Sequence, residues 1–450
     1  MKTDIDLTTS KIVPTIFYLA LPIIGSMFFE TAFNILNGVW VGKVGTVAFA
    51  AVNIGGYILW LFYGLCAVIG IGASSLIAQS SGAKNRQEAG HYADLAMAAG
   101  GILSILLTLI ILFGSKAVLK AMGAEDAVIN QGCIYLSWFC LGAPFFGLLE
   151  IMNAAMRGYG NTRTPTYIDI LGFCINLILD PILILGWFGA PKLGILGAAL
   201  ATDIAFIISF VVLLYLMFTG KIELKLSAGI FKPQWHKLVS IIRIGLPPSI
   251  SSIIFSLVYM ILTRIIMDFG TESLAALGIG HRVESLSFLL CMGFSMATLT
   301  LVGHNVGAKN LKRARLCAWN SWGIAASVTF VLSLIFYFFA DTLAHFFTHD
   351  PGVLKIAADY LKIVAFSQVF MGISIVLDGA FSGAGNTVPP MLVSIPLTIL
   401  RIPVAYFLAI KLGMGINGIW LTISLLMIAR GILMTGLFIK RPLTRGIYEI

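Results

Sequence analysis

Apolar runs of about 20 residues recur along the whole chain, and each is long enough to cross a ~30 Å hydrocarbon core. They fall near residues 15–40, 50–77, 92–114, 130–154, 165–187, 195–218, 240–266, 276–302, 317–340, 358–380, 390–411 and 416–438. The pattern predicts an all-α polytopic membrane protein with twelve transmembrane helices. The longest polar connection, Thr219 to Lys237, lies mid-chain. The expected organisation is a six-helix lobe over residues 1–218, a cytoplasmic linker over 219–239 and a second six-helix lobe over 240–450.

Composition agrees with this reading and narrows it. Of 450 residues, 59% are hydrophobic and 11% charged, against about 45–50% apolar and about 25% charged in soluble proteins. So little charge cannot cover a water-facing surface of this size. A soluble enzyme, a secreted disulfide scaffold and a disordered regulator are excluded. The six cysteines (Cys66, Cys133, Cys140, Cys174, Cys291, Cys317) are scattered, with no CxxC pair and no Cys/His metal spacing. They read as small buried apolar residues. The polar start Met1-Lys2-Thr3-Asp4-Ile5-Asp6 lacks a signal-peptide pattern, so the first span is expected to stay in the product.

A net charge of +9 would suit nucleic acid, but its distribution argues for topology instead. Lys84 and Arg86, Arg157 and Arg163, the Lys221–Arg243 stretch, Lys309–Arg315 and Lys440–Arg445 occupy every second loop. The alternate loops hold fewer cations: Lys43, Lys116, Lys120, Lys192, Lys355, Lys362 and Lys411. This positive-inside bias predicts cytoplasmic termini in a prokaryotic plasma membrane, with no nucleic-acid partner.

The chain repeats itself at an offset of 225 residues. Leu21-Pro22 returns as Leu246-Pro247, Gly45-Thr46 as Gly270-Thr271, and Ile54-Gly55 as Ile279-Gly280. Gly82-Ala83-Lys84-Asn85 returns as Gly307-Ala308-Lys309-Asn310, and Tyr135-Leu136 as Tyr360-Leu361. Gly158, Gly160-Asn161-Thr162 and Pro165 match Gly383, Gly385-Asn386-Thr387 and Pro390. Near the end the register slips, with Gly194 and Gly197 pairing Gly415 and Gly418. Six spans per unit make the halves parallel repeats, an arrangement seen in secondary transporters that work by alternating access.

Ionisable groups inside a bilayer are costly and mark function. In span 1, Glu30, Asn34 and Asn37 stack on one helix face at i, i+4 and i+7. This stripe is either an interhelical hydrogen-bond patch or part of an ion site. Span 5 carries Asn176 and Asp180, followed by Pro181, and span 6 adds Thr202 and Asp203. A carboxylate, an amide and a carbonyl freed by proline suit a proton or an oxygen-ligated Na⁺; a polar kink is the alternative. Phe255 stands at the repeat position of Glu30, and the second half offers Arg401 where the first has its amides and acids. Arg401 reads as a fixed countercharge, an anion contact, or a residue that pairs with an acid or snorkels. Arg264 with Asp268, and Arg282 with Glu284, are expected ion pairs. Asp378 and Glu150 lie near span ends. Asn34, Arg401 and Glu284 are candidates for lining a substrate cavity.

The duplicated Leu-Pro entry, Val41-Gly42-Lys43-Val44-Gly45, the Gly-Ala-Lys-Asn loops, Arg157-Gly158-Tyr159-Gly160-Asn161-Thr162 and Asn176…Asp180-Pro181 together resemble multidrug and toxic compound extrusion (MATE) transporters. The resemblance covers essentially the whole chain and is closer to the DinF-like branch than to the NorM-like one. It implies export of organic, often cationic, amphipathic compounds by antiport with H⁺ or Na⁺, with no other cofactor, by a monomer. It also implies an ion site in the first lobe, at Asp180, Asn176 and Thr202. The aspartate that the family carries in span 1 is Asn37 here, which can ligate Na⁺ but carries no proton near neutral pH. Asp180, Asn176, Asn37 and Thr202 are thus the candidate Na⁺ ligands, with Glu30 as a replacement second carboxylate. The glutamate of NorM-like members in span 7 falls on Phe255.

A lipid-linked or amphipathic precursor flippase is the alternative function, although such relatives often have extra spans. A membrane enzyme is disfavoured, since no His/Asp cluster or nucleophile pair appears. A channel is disfavoured by the lone buried acidic site.

Overall fold

The computed structural model describes residues 5–224, 226, 234–441 and 443. Met1–Asp4, Lys225, Lys232 and Arg445, which entered the leader and charge readings, lie outside the described residues. Regular structure among the described residues is helical throughout. The helices are α1 (Ile12–Gly42), α2 (Thr46–Gly82), α3 (Arg86–Ala121), α4 (Asp126–Phe139), α5 (Ala143–Tyr159), α6 (Arg163–Leu185) and α7 (Ile195–Phe218). They continue as α8 (Trp235–Met267), α9 (Thr271–Gly307), α10 (Leu311–Phe338), α11 (Ala340–Phe347), α12 (Pro351–Gly383), α13 (Val388–Tyr406) and α14 (Ile416–Lys440). Among the described residues eleven helices are long and apolar enough to cross a bilayer, and the bent α4–α5 pair, taken as one span, makes twelve.

The fourth expected span is not one helix, because α4 and α5 meet at an angle of 59°. Pro144 stands in the first turn of α5, where it cannot donate to a preceding carbonyl. Gly142 at the break lies so close to α7 that a Cβ there would sit 2.2 Å from Asp203 Oδ1. The repeat positions are Ser367 and Val369, and there α12 runs unbroken for 33 residues.

The chain divides into two compact units. One holds Leu21–Gly245; the other holds Leu7–Ala20 together with Leu246 onward. The division therefore cuts α1 just before Leu21-Pro22 and α8 just before Leu246-Pro247, the paired positions of the repeat, instead of falling in the 219–239 connection. In the first unit the early turns of α8 press on α2: a Cβ on Gly245 would lie 1.8 Å from the Val68 carbonyl oxygen. In the second unit, Asn305 donates to the Leu7 carbonyl at 3.2 Å, Arg313 bonds the Ser10 carbonyl, and Phe17 meets Phe294 edge-on at 5.6 Å.

The repeated motifs are repeated local structure. Lys84 and Lys309 take left-handed φ values of 60° and 59°, which close the Gly-Ala-Lys-Asn turns. Asn85 and Asn310 then cap α3 and α10 by accepting from the N–H of Glu88 and of Arg313, each at 3.1 Å. Gly158 and Gly383 are the close approaches of α5 to α2 and of α12 to α9. A Cβ there would lie 2.4 Å from the Ser74 oxygen and 2.3 Å from the Leu299 oxygen. Large apolar side chains such as Phe113 and Phe346 point outward, 81% and 83% exposed, as a lipid-facing surface requires.

Candidate functional site

In the first unit, α6 and α7 bring Asn176, Asp180 and Thr202 together, all buried. Asn176 and Asp180 are one turn apart on α6, so their side chains share a face. With the Asn176 amide oriented to satisfy its neighbours, Nδ2 donates to Asp180 Oδ1 and Oδ2 at 2.8 and 3.0 Å. Its Oδ1 accepts from the Thr202 N–H at 3.2 Å and hydroxyl at 3.0 Å. Pro181 stays inside α6 and cannot donate to the Leu177 carbonyl. The site thus offers a carboxylate held by a single amide, with hydroxyl and carbonyl oxygens close by. That donor set can take up a proton or a small oxygen-ligated cation.

The span 1 stripe lies elsewhere. Glu30 and Asn34 are exposed and Asn37 is half-buried. Among the described residues none of the three bonds to Asp180, Asn176 or Thr202. Glu30 sits between two contacts of α1 with α6: Ser26 Oγ donates to Asp169 Oδ2 at 2.5 Å, and Phe33 stacks on Phe173 at 5.7 Å. Its charged neighbours are Asp169 and Arg157.

Asp169 is the residue that the sequence pattern did not single out, whereas Asp203 stood beside Thr202 in span 6 without a role of its own. Asp169 is the hub of a buried network: Oδ1 accepts from Asn153 at 2.8 Å, and Oδ2 takes Arg157 Nη2 at 3.2 Å beside Ser26. Its signal was present, since positions 169, 176 and 180 follow one face of α6. Asp203 is 2% exposed and packs into the notch between α4 and α5. Its carboxylate meets the backbone N–H of Gly142 at the break and has no side-chain hydrogen-bond partner among the described residues.

In the second unit, Glu284 does not pair with Arg282. It accepts from the Tyr360 hydroxyl, and from Gln368 Nε2 at 2.7 Å. A neutral, fully hydrogen-bonded setting in α12 outcompetes an exposed arginine two residues away, whose side chain leaves the same helix at a different angle. Arg264 and Asp268 likewise form no ion pair among the described residues, because α8 ends at Met267 and Asp268 leaves the helix. Asp378, in contrast, accepts from Arg430 Nη2 at 2.6 Å, tying α12 to α14. Arg401 is 2% exposed, so it neither snorkels nor joins an ion pair among the described residues. Its guanidinium carbon lies 5.5 Å from the Phe255 ring and 5.4 Å from the Tyr259 ring.

The MatE family profile matches residues 22–182 and again 247–407, more than half of the chain and in two copies. The chain is 29% identical over 404 residues to the "Probable multidrug resistance protein NorM" of Thermotoga maritima, covering 90% of this chain and 87% of that protein. It is 24% identical over 430 residues to the multidrug resistance protein MdtK of Yersinia pseudotuberculosis, covering 92% and 93% of the two chains. Among solved structures, an outward-facing multidrug resistance MATE family transporter of the MOP superfamily superimposes with a TM-score of 0.89 at 23% identity, over 97% of this chain and 98% of that one. With both halves matched and the twelve-span helical fold in place, the chain is a multi-pass membrane protein of the MatE, or multidrug and toxic compound extrusion, family.

Proposed function

We propose that this protein exports small organic compounds across a prokaryotic plasma membrane by alternating access, driven by antiport of H⁺ or Na⁺ at Asp180, with Asn176 and Thr202 completing the ion site. The observation that carries the reading is the buried Asp180 carboxylate held by Asn176, which in turn is fixed by Thr202. An ionised carboxylate in the membrane interior is costly, so uptake of a proton or cation changes the energy of the unit that holds it. That differential is what couples ion entry to substrate release. The relatives' names, multidrug resistance proteins, support an organic substrate. The cation-rich alternate loops support cytoplasmic termini, and a single chain carries both repeats.

The test is counterflow of a fluorescent organic compound in proteoliposomes, with ΔpH and ΔNa⁺ imposed separately. One gradient drives export by the wild type, and Asp180→Asn loses that drive. Drive by neither gradient overturns antiport and turns the reading to an uncoupled flippase.

A further inference from the structure

The ion site of the first unit has a counterpart in the second, and its polarity is inverted. At the offset of 225, Asn176 corresponds to Arg401, Asp180 to Ala405, Glu30 to Phe255 and Asn34 to Tyr259. Each of these four acids and amides is replaced by a guanidinium, an apolar residue or an aromatic ring. The replacements meet in space, because the Arg401 guanidinium faces the rings of Phe255 and Tyr259 at 5.5 and 5.4 Å. Arg401 lies on the buried stripe of α13 with Ser394, Thr398 and Ala405, so it faces protein, not lipid.

This guanidinium hydrogen-bonds the Tyr259 side chain but is otherwise poorly satisfied for a buried one. Its Nε and Nη1 are buried and have no hydrogen-bond partner among the described residues. A buried charge left without a counterion costs several kcal/mol, which is why such groups are ordinarily paired. Glu284 is the nearby acid, but its two oxygens are taken by Tyr360 and Gln368. Two aromatic faces stabilise the cation only in part. What is left without a partner is Nε and Nη1, two separate donors that the oxygens of an anion can meet.

We infer that the second unit holds a binding site for the carboxylate of an organic anion, with Arg401 as the anion ligand and Phe255 and Tyr259 as the walls for an attached aromatic or apolar body. The inference deepens the export reading by giving the transported compound an anionic group. Electrostatic complementarity then separates two tasks: the acids of the first unit handle the coupling ion, and the guanidinium of the second selects the cargo.

The test is binding without any gradient, so that failure of ion coupling at Asp180 and failure of the anion site are read independently. The purified full-length protein in phosphatidylcholine nanodiscs is titrated with 2-naphthoate and with 2-naphthamide, which share an aromatic body and differ in charge. Naphthoate is expected to bind at least tenfold more tightly. Arg401→Gln removes that preference. Phe255→Glu also removes it, because it restores at the repeat position of Glu30 a carboxylate that occupies the guanidinium internally; this second variant keeps the arginine and so separates loss of the ligand from loss of fold. Equal affinities in the wild type, no detectable naphthoate binding, or a preference that survives Arg401→Gln overturns the proposal.

Discussion

Arg157 Nη2 donates to Asp169 Oδ2 at 3.2 Å, joining the last turns of α5 to the second turn of α6 with both side chains largely buried. The pair flanks the left-handed Gly160, whose φ of 100° turns the chain between the two helices. Removing one partner of a buried pair costs about 3–5 kcal/mol, since the other charge stays behind. Asp169→Asn is therefore expected to lower the thermal unfolding midpoint in detergent far more than Ser26→Ala, which forfeits a single hydrogen bond of about 1 kcal/mol. Equal shifts in the two variants would show that Arg157 is held by other groups.

Glu30 belongs electrostatically to that network and not to Asp180. Glu30→Gln is expected to slow transport while the response to the driving gradient persists, and Asp180→Asn to abolish the response. Thr202→Val removes the hydroxyl that fixes Asn176 and should cost about 1 kcal/mol of stability with weakened coupling. Transport by Glu30→Gln that ignores both gradients would place Glu30 in the coupling machinery after all.

Much of this was legible in the sequence. The spans follow from hydropathy because lipid tolerates only self-satisfied backbone, and the repeat follows from motifs that geometry forces to recur. Gly158 and Gly383 are such a pair, each pressed against a carbonyl of the neighbouring helix. Asn176, Asp180 and Thr202 could be grouped because two share a helix face and the third follows the family pattern. What sequence spacing could not supply was partnership between helices. Glu284 turns to Tyr360 and Gln368, more than 70 residues on, and Arg401 meets rings from α8. The break at Gly142 and Pro144 was hidden for another reason: apolar length counts residues across a bend as readily as along a straight helix.

The glycine pair yields a direct stability prediction. Gly158→Ala and Gly383→Ala put a methyl 2.4 and 2.3 Å from backbone oxygens, which cannot swing away as a side chain can. Overpacking of this kind costs about 1–3 kcal/mol or more, so both variants should express poorly and unfold at lower temperature. Gly25→Ala is the control, because nothing lies within 4 Å of its Cβ position. In a helix interior that change should stabilise by up to about 1 kcal/mol. A normal midpoint for Gly158→Ala would mean that α5 and α2 can separate there.

Asp378 and Arg430 tie α12 to α14 at 2.6 Å. Because the two charges touch, their substitutions should not add. Asp378→Asn and Arg430→Gln are each expected to destabilise, and the double variant should cost less than the sum by about 0.5–3 kcal/mol. Unfolding in detergent, followed for the wild type, both single variants and the double, measures the coupling. Strict additivity would show that each residue acts through separate partners.

Asp203 presents the sharpest conflict between stability and function. Its carboxylate is buried in the notch between α4 and α5, adjoins Thr202 in sequence, and has the backbone N–H of Gly142 but no side chain to hold it among the described residues. A buried carboxylate with neither a counterion nor a side-chain donor is costly whether it stays charged or takes up a proton to avoid the charge. A purely architectural role would favour an apolar or amide residue here, so retention of the acid points to use. Asp203→Asn should therefore raise the unfolding midpoint by a few degrees, roughly the effect of 1 kcal/mol in a chain of this size, while cutting gradient-driven transport at least tenfold. Gly142→Ala approaches the same carboxylate from the other side and should lower both, since its Cβ would lie 2.2 Å from Asp203 Oδ1. A gain in stability with transport unchanged in Asp203→Asn would make the carboxylate a bystander to the ion site. A loss of stability would instead make it a structural anchor for the bent span, held there by the N-terminal end of α5.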